Sequence, residues 1–576
     1  MTHSGKGENS MKVVIVGGVA GGASAAARIR RLDAQAEIVV FERGRHVSFS
    51  NCALPYYLGG AVEDSEDLIM MTPEDFRERH NIDVRTESAV VEIQREEKAV
   101  VVQESPSGRR YTEHYDKLIL APGASPIVPK SIAGSGGENV FTIRNVTDIC
   151  AVKDYIDRTG AENIVVAGAG FVGLEVAENL RLLGKQVSIV EGLDQVMAPF
   201  DYDMAQFLHR ELLEQGIQLY LSSMVTAISP KAVTAVRDGV PFEVPADVVI
   251  LSIGVAPESA LAAQAGLELG GRGSIRVNHN YQTSDPDIYA VGDAVESFNR
   301  LGRCCGGLAL AGPAQRQARA AADHICGMTH NNKGYIGSSC IRVFEQNAAV
   351  TGMNEKAILK AGIPYDAALV LPFDKVSIMP DCHYMAFKLL FEVPTGRILG
   401  AQAIGRGDVV RRIDVIAAMI TMGGTLEDLK ELELCYAPVY GTAKDVVNQA
   451  ALVGLNLLYN RVRQVRLGGV RELVESGACI VDVREAEEYQ QGHLKTAINI
   501  PLSQLRERME EIPRDRPVYL HCRTSQRSYY ALCELQGNGY RNVYNISGSF
   551  LGICNYEYFN DVTTGREPIV TAYNFN

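Results

Sequence analysis

The chain predicts an α/β protein of several domains, and three features predict it. A strand-like run that ends in a glycine-rich turn, continues as a small-residue helix and returns as a second strand occurs twice, beginning near residues 11 and 163. That is a βαβ grammar. Short apolar runs elsewhere each stop at a glycine turn, and a third, smaller strand–loop–helix unit lies near the end. The length, 576 residues, is too great for one core and suggests three to five domains at roughly 100–200 residues each.

Taken in order, residues 1–10 are polar and predict disorder. Met11–Val16 is a β-branched strand ending at Gly17-Gly18, and Glu37–Phe41 is its partner. Leu118–Leu120 leads into Ala121-Pro122-Gly123. Asn163–Ala167 opens the second unit, with Gln186–Val190 as its second strand, and Val248–Leu251 leads into Ser252-Ile253-Gly254. The resulting boundaries are 11–122 and 252–334 for one nucleotide domain, interrupted by 123–251 as another. Mixed strands and helices without a glycine-rich loop fill 335–453 as an α+β domain, and 454–468 reads as a helical linker carrying Arg461, Arg463 and Arg466. A last α/β domain spans 469–560, with an unassigned tail at 561–576.

Composition narrows the function. The formal net charge of -13 argues against a nucleic-acid partner, which needs a basic surface. Twelve scattered cysteines with no CxxC pair point to a reduced, cytoplasmic protein without a metal site. No run of about 20 apolar residues exists to span a membrane.

A phosphate can reach the N–H groups at a helix N-terminus only where side chains are absent. Gly168, Gly170 and Gly173 satisfy this in full, and Glu191 ends the following strand. A carboxylate there accepts ribose hydroxyls and repels a 2′-phosphate, so NADH is expected over NADPH. The first turn, Gly17-Gly18-Val19-Ala20-Gly21-Gly22, has Val19 at the usual middle glycine, with Glu42 and Arg43 closing its second strand. The segment 283–293, TSDPDIYAVGD, resembles the flavin-binding strand and turn of the two-dinucleotide-domain flavoprotein disulfide reductases. By that resemblance the first turn holds FAD and Asp293 holds its ribityl chain. Ala121, Gly123 and Gly254 close the connecting strands between the domains.

The stretch 48–60, SFSNCALPYYLGG, places Cys52 just after the first βαβ unit. Dithiol members of that family carry a second cysteine five residues on, where this chain has Tyr57. One cysteine cannot close an internal disulfide; it can hold a mixed disulfide, a persulfide or a sulfenic acid. This stretch, with GGVAGGASAAARIRR at 17–31, resembles the coenzyme A disulfide reductases and their relatives the NADH oxidases and peroxidases. The resemblance implies coenzyme A contacts at Ser24, Arg31, Ser48, Asn51 and Lys444. It also implies a homodimer in which Tyr436, in the segment 435–440, serves the partner's site as a proton donor. Where some relatives have a second tyrosine, this chain reads Ile378-Met379-Pro380.

Near the end, Asp482, Arg484, Gly492 and His493 precede a strand that stops at Cys522, with Arg527 closing a short loop. The pattern resembles the rhodanese domains, and four residues separate Cys522 from Arg527, fewer than in phosphatases of related fold. Inward N–H groups and a helix N-terminus would stabilise a persulfide anion there.

The expected function is therefore an FAD-dependent NADH:disulfide/persulfide oxidoreductase. It would reduce coenzyme A persulfide, polysulfide or coenzyme A disulfide through Cys52, with Cys522 supplying sulfane sulfur. Its partners are small-molecule thiols and persulfides. The alternatives are an NADH oxidase or peroxidase that cycles Cys52 through a sulfenic acid, and a redox or sulfide sensor without turnover.

Overall fold

The computed structural model describes residues 10–329 and 331–575. Residues 1–9, most of the stretch expected to be disordered, lie outside the described residues. Two compact units emerge: one comprises the chain up to Val190 with Met224–Tyr335, the other Glu191–Ser223 with the chain from Ile336 onward.

The first unit holds both nucleotide folds. The strands Ile288–Ala290, Lys117–Leu120, Lys12–Val16, Glu37–Phe41 and Asp83–Arg85 lie side by side in that order, all parallel. Val13, Val14, Ile15 and Ile119 are fully buried, because both faces of the sheet are covered, which leaves no solvent face to alternate toward. One face is covered by the helices Ala20–Leu32 and Ala311–Ile325, the other mainly by the antiparallel strands Ser88–Gln94 and Ala99–Glu104. The second fold sets Gln186–Val190, Asn163–Ala167, Val248–Leu251 and Val140–Phe141 in one parallel sheet. Each lead strand ends at a glycine turn, followed by the helices Ala20–Leu32 and Phe171–Leu182.

The second unit gathers residues 191–223, the stretch 454–468 and the tail. Residues 191–223 group by contacts with the chain after 336. The helix Tyr202–Glu214 buries Met204, Ala205, Leu208 and Leu212, and its His209 ring packs 4.8 Å from Phe559. The stretch 454–468 is not a separate linker. The helix Val446–Leu458 runs into it with Leu455 and Leu457 buried, and Gln464–Val465 pairs in parallel with Val543–Ile546 as an edge strand of the last sheet. The tail is ordered too. The helix Ser549–Thr564 passes residue 560, Leu494 bridges to Val570, and Tyr573 donates its hydroxyl proton to Asp561.

Within this unit a five-stranded antiparallel sheet runs Ser338–Val343, Gln346–Gly352, Ile398–Gly405, Met385–Glu392, Tyr365–Val370. Lys388 is 2% exposed on it and forms ion pairs with Asp203 at 2.8 Å and with Asp201 and Glu355 at 3.1 Å. Arg466 joins the same network through Glu355 and Asp366, so buried charge fastens the last domain to this sheet. The last sheet is parallel throughout, ordered Gln464–Val465, Val543–Ile546, Val518–His521, Cys479–Asp482, Ile498–Asn499. Among the described residues no helix is long and apolar enough to cross a membrane.

Candidate functional site

In the first unit the two glycine turns are built alike. Gly17 has φ +97° and a Cβ on it would lie 2.1 Å from the Ala121 carbonyl oxygen. Gly22 lets the helix Ala20–Leu32 settle on the turn, since its Cβ would stand 1.8 Å from the Gly17 oxygen. In the second turn Gly168 has φ +105° and faces the Ser252 oxygen at 2.3 Å, and Gly173 faces the Gly168 oxygen at 2.1 Å. A Cβ on Gly170 would meet nothing within 4 Å, which leaves open space at the N-terminus of a 12-residue helix. That space suits a pyrophosphate.

Glu42 accepts N–H bonds from Gly18 at 2.9 Å and Gly44 at 2.8 Å, which holds its carboxylate at the first turn. Gly21 sits against Val291 and so brings in the turn Gly292–Ala294 with Asp293. Burial alone pushes the Asp293 carboxyl above the usual carboxylate range, so no cation of the protein compensates it. A half-buried carboxylate beside a cradled helix N-terminus fits FAD, whose hydroxyls would bond to Asp293 and Glu42. Glu191 follows the strand Gln186–Val190 directly, and its Oε1 accepts the Leu193 N–H at 2.8 Å. Gly123 and Gly254 adopt φ +75° and +118° at their turns. Arg43 is otherwise engaged than expected. Its guanidinium bonds twice to Glu258, at 2.8 and 3.2 Å. Burial opposes ionisation of Glu258, but Arg43, Ser125 and Arg144 hold its carboxyl down at about 2.

Cys52 is exposed on the turn Asn51–Ala53, which runs into the short helix Leu54–Leu58 with Pro55 in its first turn. Desolvation by the surrounding protein raises its thiol pKa, and the charges of Glu175 and Asp293 raise it further. The loop before it is pinned to the flavin turn: Ser48, at φ +50°, donates its N–H to the Gly18 oxygen at 3.0 Å. Asn51 is exposed next to the thiol. Ser24 and Arg31 lie two turns apart on the helix Ala20–Leu32, hence on one face. The first unit thus assembles Cys52, both glycine turns and the residues Ser24, Arg31, Ser48 and Asn51.

Glu175 is a site residue that the sequence reading missed. Burial, and then the charge of Glu178, pushes its carboxyl up to about 7, and its charge is felt at Cys52. The available signal was an acid two residues past Gly173 in an otherwise apolar helix start, Phe171-Val172-Gly173-Leu174.

The second unit carries the remaining candidates. Tyr436 is 50% exposed and Tyr440 68% exposed, on the loop between the helices Leu426–Lys430 and Val446–Leu458. Arg411 and Arg412 brace that loop through the Tyr440 carbonyl at 3.1 and 3.2 Å. The Lys444 side chain is exposed, and its carbonyl is fixed by Thr442 and Gln449. Ile378 projects from an exposed turn and brings no hydroxyl there.

Cys522 is buried at the end of the strand Val518–His521. Its carbonyl and that of Arg523 accept N–H bonds from Phe550 and Leu551, both at 3.0 Å, at the start of the helix Ser549–Thr564. With the carbonyls drawn away and Ser525 at φ +76°, the loop turns its N–H groups the other way. Among the described residues the N–H groups of Thr524 to Ser528 reach no protein acceptor. The Cys522 N–H itself is taken by the Ser549 hydroxyl at 3.2 Å, and the Ser528 hydroxyl lies 3.7 Å from the Cys522 sulfur. Arg484 is buried in a fork with Asp482, at 3.0 and 2.6 Å, and stacks 4.1 Å over Phe550. Arg527 ends the loop, and both of its terminal nitrogens bond to Glu488, at 2.6 and 2.7 Å.

An exposed single cysteine beside two dinucleotide cradles, with a second cysteine inside a loop of inward N–H groups, defines a dinucleotide-dependent sulfur oxidoreductase with a sulfurtransferase-type domain. Comparison with known proteins agrees. Residues 11–318 match the pyridine nucleotide-disulphide oxidoreductases, residues 339–446 the dimerisation domain of those enzymes, and residues 468–556 the rhodanese-like domain. The chain belongs to the pyridine nucleotide-disulphide oxidoreductase family. A coenzyme A disulfide reductase of Staphylococcus epidermidis is 33% identical over 438 residues, 76% of this chain and 98% of the relative. The crystal structure of reduced Bacillus anthracis CoADR-RHD superposes with a TM-score of 0.92 at 42% identity, covering 96% of this chain and 99% of that one. A NAD-dependent persulfide reductase from A. fulgidus gives 0.89 at 35% identity, covering 94% and 99%.

Proposed function

We propose that the protein is an NADH-dependent flavoenzyme that reduces persulfides and disulfides of low-molecular-weight thiols, coenzyme A foremost, through Cys52. The observation that carries this reading is the placement of Cys52. It is exposed at a helix start beside the flavin turn, and Tyr57 stands where a resolving cysteine would be. Its sulfur must therefore exchange with a thiol from solution.

The Cys52 thiolate attacks the substrate's S–S bond, and the departing sulfur leaves as a thiolate. With a persulfide, the terminal sulfur stays on Cys52. When bound, FAD carries two electrons from NADH to that sulfur, which releases hydrosulfide and restores the Cys52 thiolate. With a disulfide the same electrons release the second thiol. Ser24 and Arg31 on one helix face, with Ser48 and Asn51, hold the thiol's anionic body. Glu175, with a pKa near neutrality, is placed to exchange a proton in this cleft.

Cys522 supplies sulfane sulfur as a persulfide, and the protein acts as a cytoplasmic homodimer. The exposed Tyr436, Val439 and Tyr440 on the dimerisation domain support the dimer, and the scattered cysteines without a CxxC pair support the location. The test compares NADH consumption with oxygen, peroxide, coenzyme A disulfide, coenzyme A persulfide and polysulfide. Turnover led by the persulfide or the disulfide is expected. Turnover led by oxygen or peroxide would make the protein an oxidase or peroxidase, and no turnover with any of them would make it a sensor. Cys522→Ser should slow polysulfide turnover and spare that with preformed coenzyme A persulfide. Equal effects on both would show that the domains do not act in series.

A further inference from the structure

We infer that Glu488 sets the charge class of sulfur donor that the Cys522 loop accepts, selecting donors with a single charge on the reacting group, persulfides and thiosulfonates, over thiosulfate, whose reacting group is a dianion. The inference rests on Cys522 being the sulfur acceptor, as proposed above.

Three guanidiniums surround the loop, and each is engaged. Arg484 is locked on Asp482 and also donates to the Gly492 carbonyl at 2.7 Å. Arg523 donates to the Asn574 carbonyl at 3.1 Å and lies 5.9 Å from the centre of the Tyr384 ring. Arg527, the residue that closes the loop, has both terminal nitrogens on Glu488. His521 is buried, and its pKa is pushed down by that burial, so it adds no charge at neutral pH. Arg527 in turn holds the Glu488 carboxyl below its usual range, so the pair stays ionised. At the Cys522 site Arg484 and Arg527 are therefore both neutralised by carboxylates.

The helix Ala486–Gln490 presents Glu488 and is fixed at its start, where the Glu485 N–H donates to the Glu488 carboxylate at 3.3 Å. The carboxylate is thus a built part of the loop wall.

The chemistry distinguishes donors by charge. With a persulfide, the Cys522 thiolate attacks the terminal sulfur, a new S–S bond forms on Cys522 as the donor's S–S bond breaks, and the donor leaves as a thiolate with one charge on the departing sulfur. With thiosulfate, the same attack on the sulfane sulfur expels sulfite as a dianion. The incoming dianion and its leaving group both need unpaired cations, and Glu488 has taken the loop's Arg527. A low-charge donor meets no such penalty, and the loop N–H groups suffice for the single charge of Cys522–S–S⁻.

The test uses the whole FAD-loaded chain, with cyanide as sulfur acceptor, and measures kcat/KM as thiocyanate formed. The donors are thiosulfate, methanethiosulfonate and glutathione persulfide. Methanethiosulfonate breaks the same kind of sulfane–sulfonyl bond with one charge fewer, leaving as methanesulfinate. Wild type should prefer it to thiosulfate by roughly tenfold or more, the scale of one uncompensated like-charge contact. Glu488→Gln, which keeps a hydrogen bond to Arg527 but removes the charge, should raise thiosulfate turnover about tenfold. It should change glutathione persulfide turnover by less than about twofold, and leave NADH-linked coenzyme A disulfide reduction unchanged. Equal use of thiosulfate and methanethiosulfonate by wild type overturns the proposal whether or not the variant folds. So does a donor ratio unmoved by Glu488→Gln in a variant that still turns over persulfide. Absence of thiocyanate from every donor, with no 32 Da adduct on Cys522, would instead refute Cys522 as the acceptor.

Discussion

Two glycine-to-alanine substitutions separate the flavin turn from the nicotinamide turn. A methyl on Gly22 would sit 1.8 Å from the Gly17 oxygen, and one on Gly173 would sit 2.1 Å from the Gly168 oxygen. Real Cβ contacts begin near 3.0 Å, so each helix must retreat by about 1 Å from the turn that receives its phosphate. The obstructing atoms are backbone, which cannot swing aside, and overpacking of this kind costs about 1–3 kcal/mol. At about 1.4 kcal/mol per factor of ten, that is roughly a 5- to 150-fold loss in binding. Gly22→Ala should purify with flavin content well below one per chain. Gly173→Ala should remain yellow with full flavin and show a KM for NADH raised at least about fivefold. The assays are flavin absorbance per chain and steady-state kinetics with excess FAD. A Gly173→Ala protein that loses flavin but keeps its KM for NADH would refute the assignment of the two turns.

Other outcomes follow from the same structure. Cys52→Ser should abolish disulfide and persulfide reduction while NADH still bleaches the bound flavin, measured by anaerobic stopped-flow. Turnover above about a tenth of wild type would place the chemistry on another cysteine. Lys388→Met leaves three carboxylates around a buried site without their cation and should destabilise the second unit by about 3–5 kcal/mol in urea titrations followed by circular dichroism. An unchanged midpoint would show that the cluster is not a clamp. Glu175 has a folded pKa of about 7, above its unfolded value of 4.5, so the native state binds the extra proton and stability falls as pH rises between those values. Glu175→Gln should flatten that fall in flavin-free protein, seen as urea midpoints at pH 5 and pH 8. Parallel pH trends in the two proteins would contradict the buried-acid reading. NADH should exceed NADPH in kcat/KM by roughly tenfold through like-charge repulsion at Glu191, and parity would remove that role.

The sequence by itself determined what is local. Glycines spaced for a helix N-terminus, the strands Glu37–Phe41, Asn163–Ala167, Gln186–Val190 and Val248–Leu251, and the lone Cys52 with Tyr57 five residues on are all short-range patterns. Each is forced by backbone sterics or side-chain chemistry within a few residues. Tertiary structure alone decided which charges meet. Arg43, beside the first glycine turn, closes on Glu258, 215 positions away. Arg527, expected to close the Cys522 loop, pairs with Glu488, 39 positions earlier. Lys388 closes on Asp203, 185 positions earlier. Glu175 acquired its raised pKa only from the burial around it. The physical reason is common to these cases: spacing along the chain fixes conformation, whereas desolvation and ion pairing depend on the partner that folding brings close.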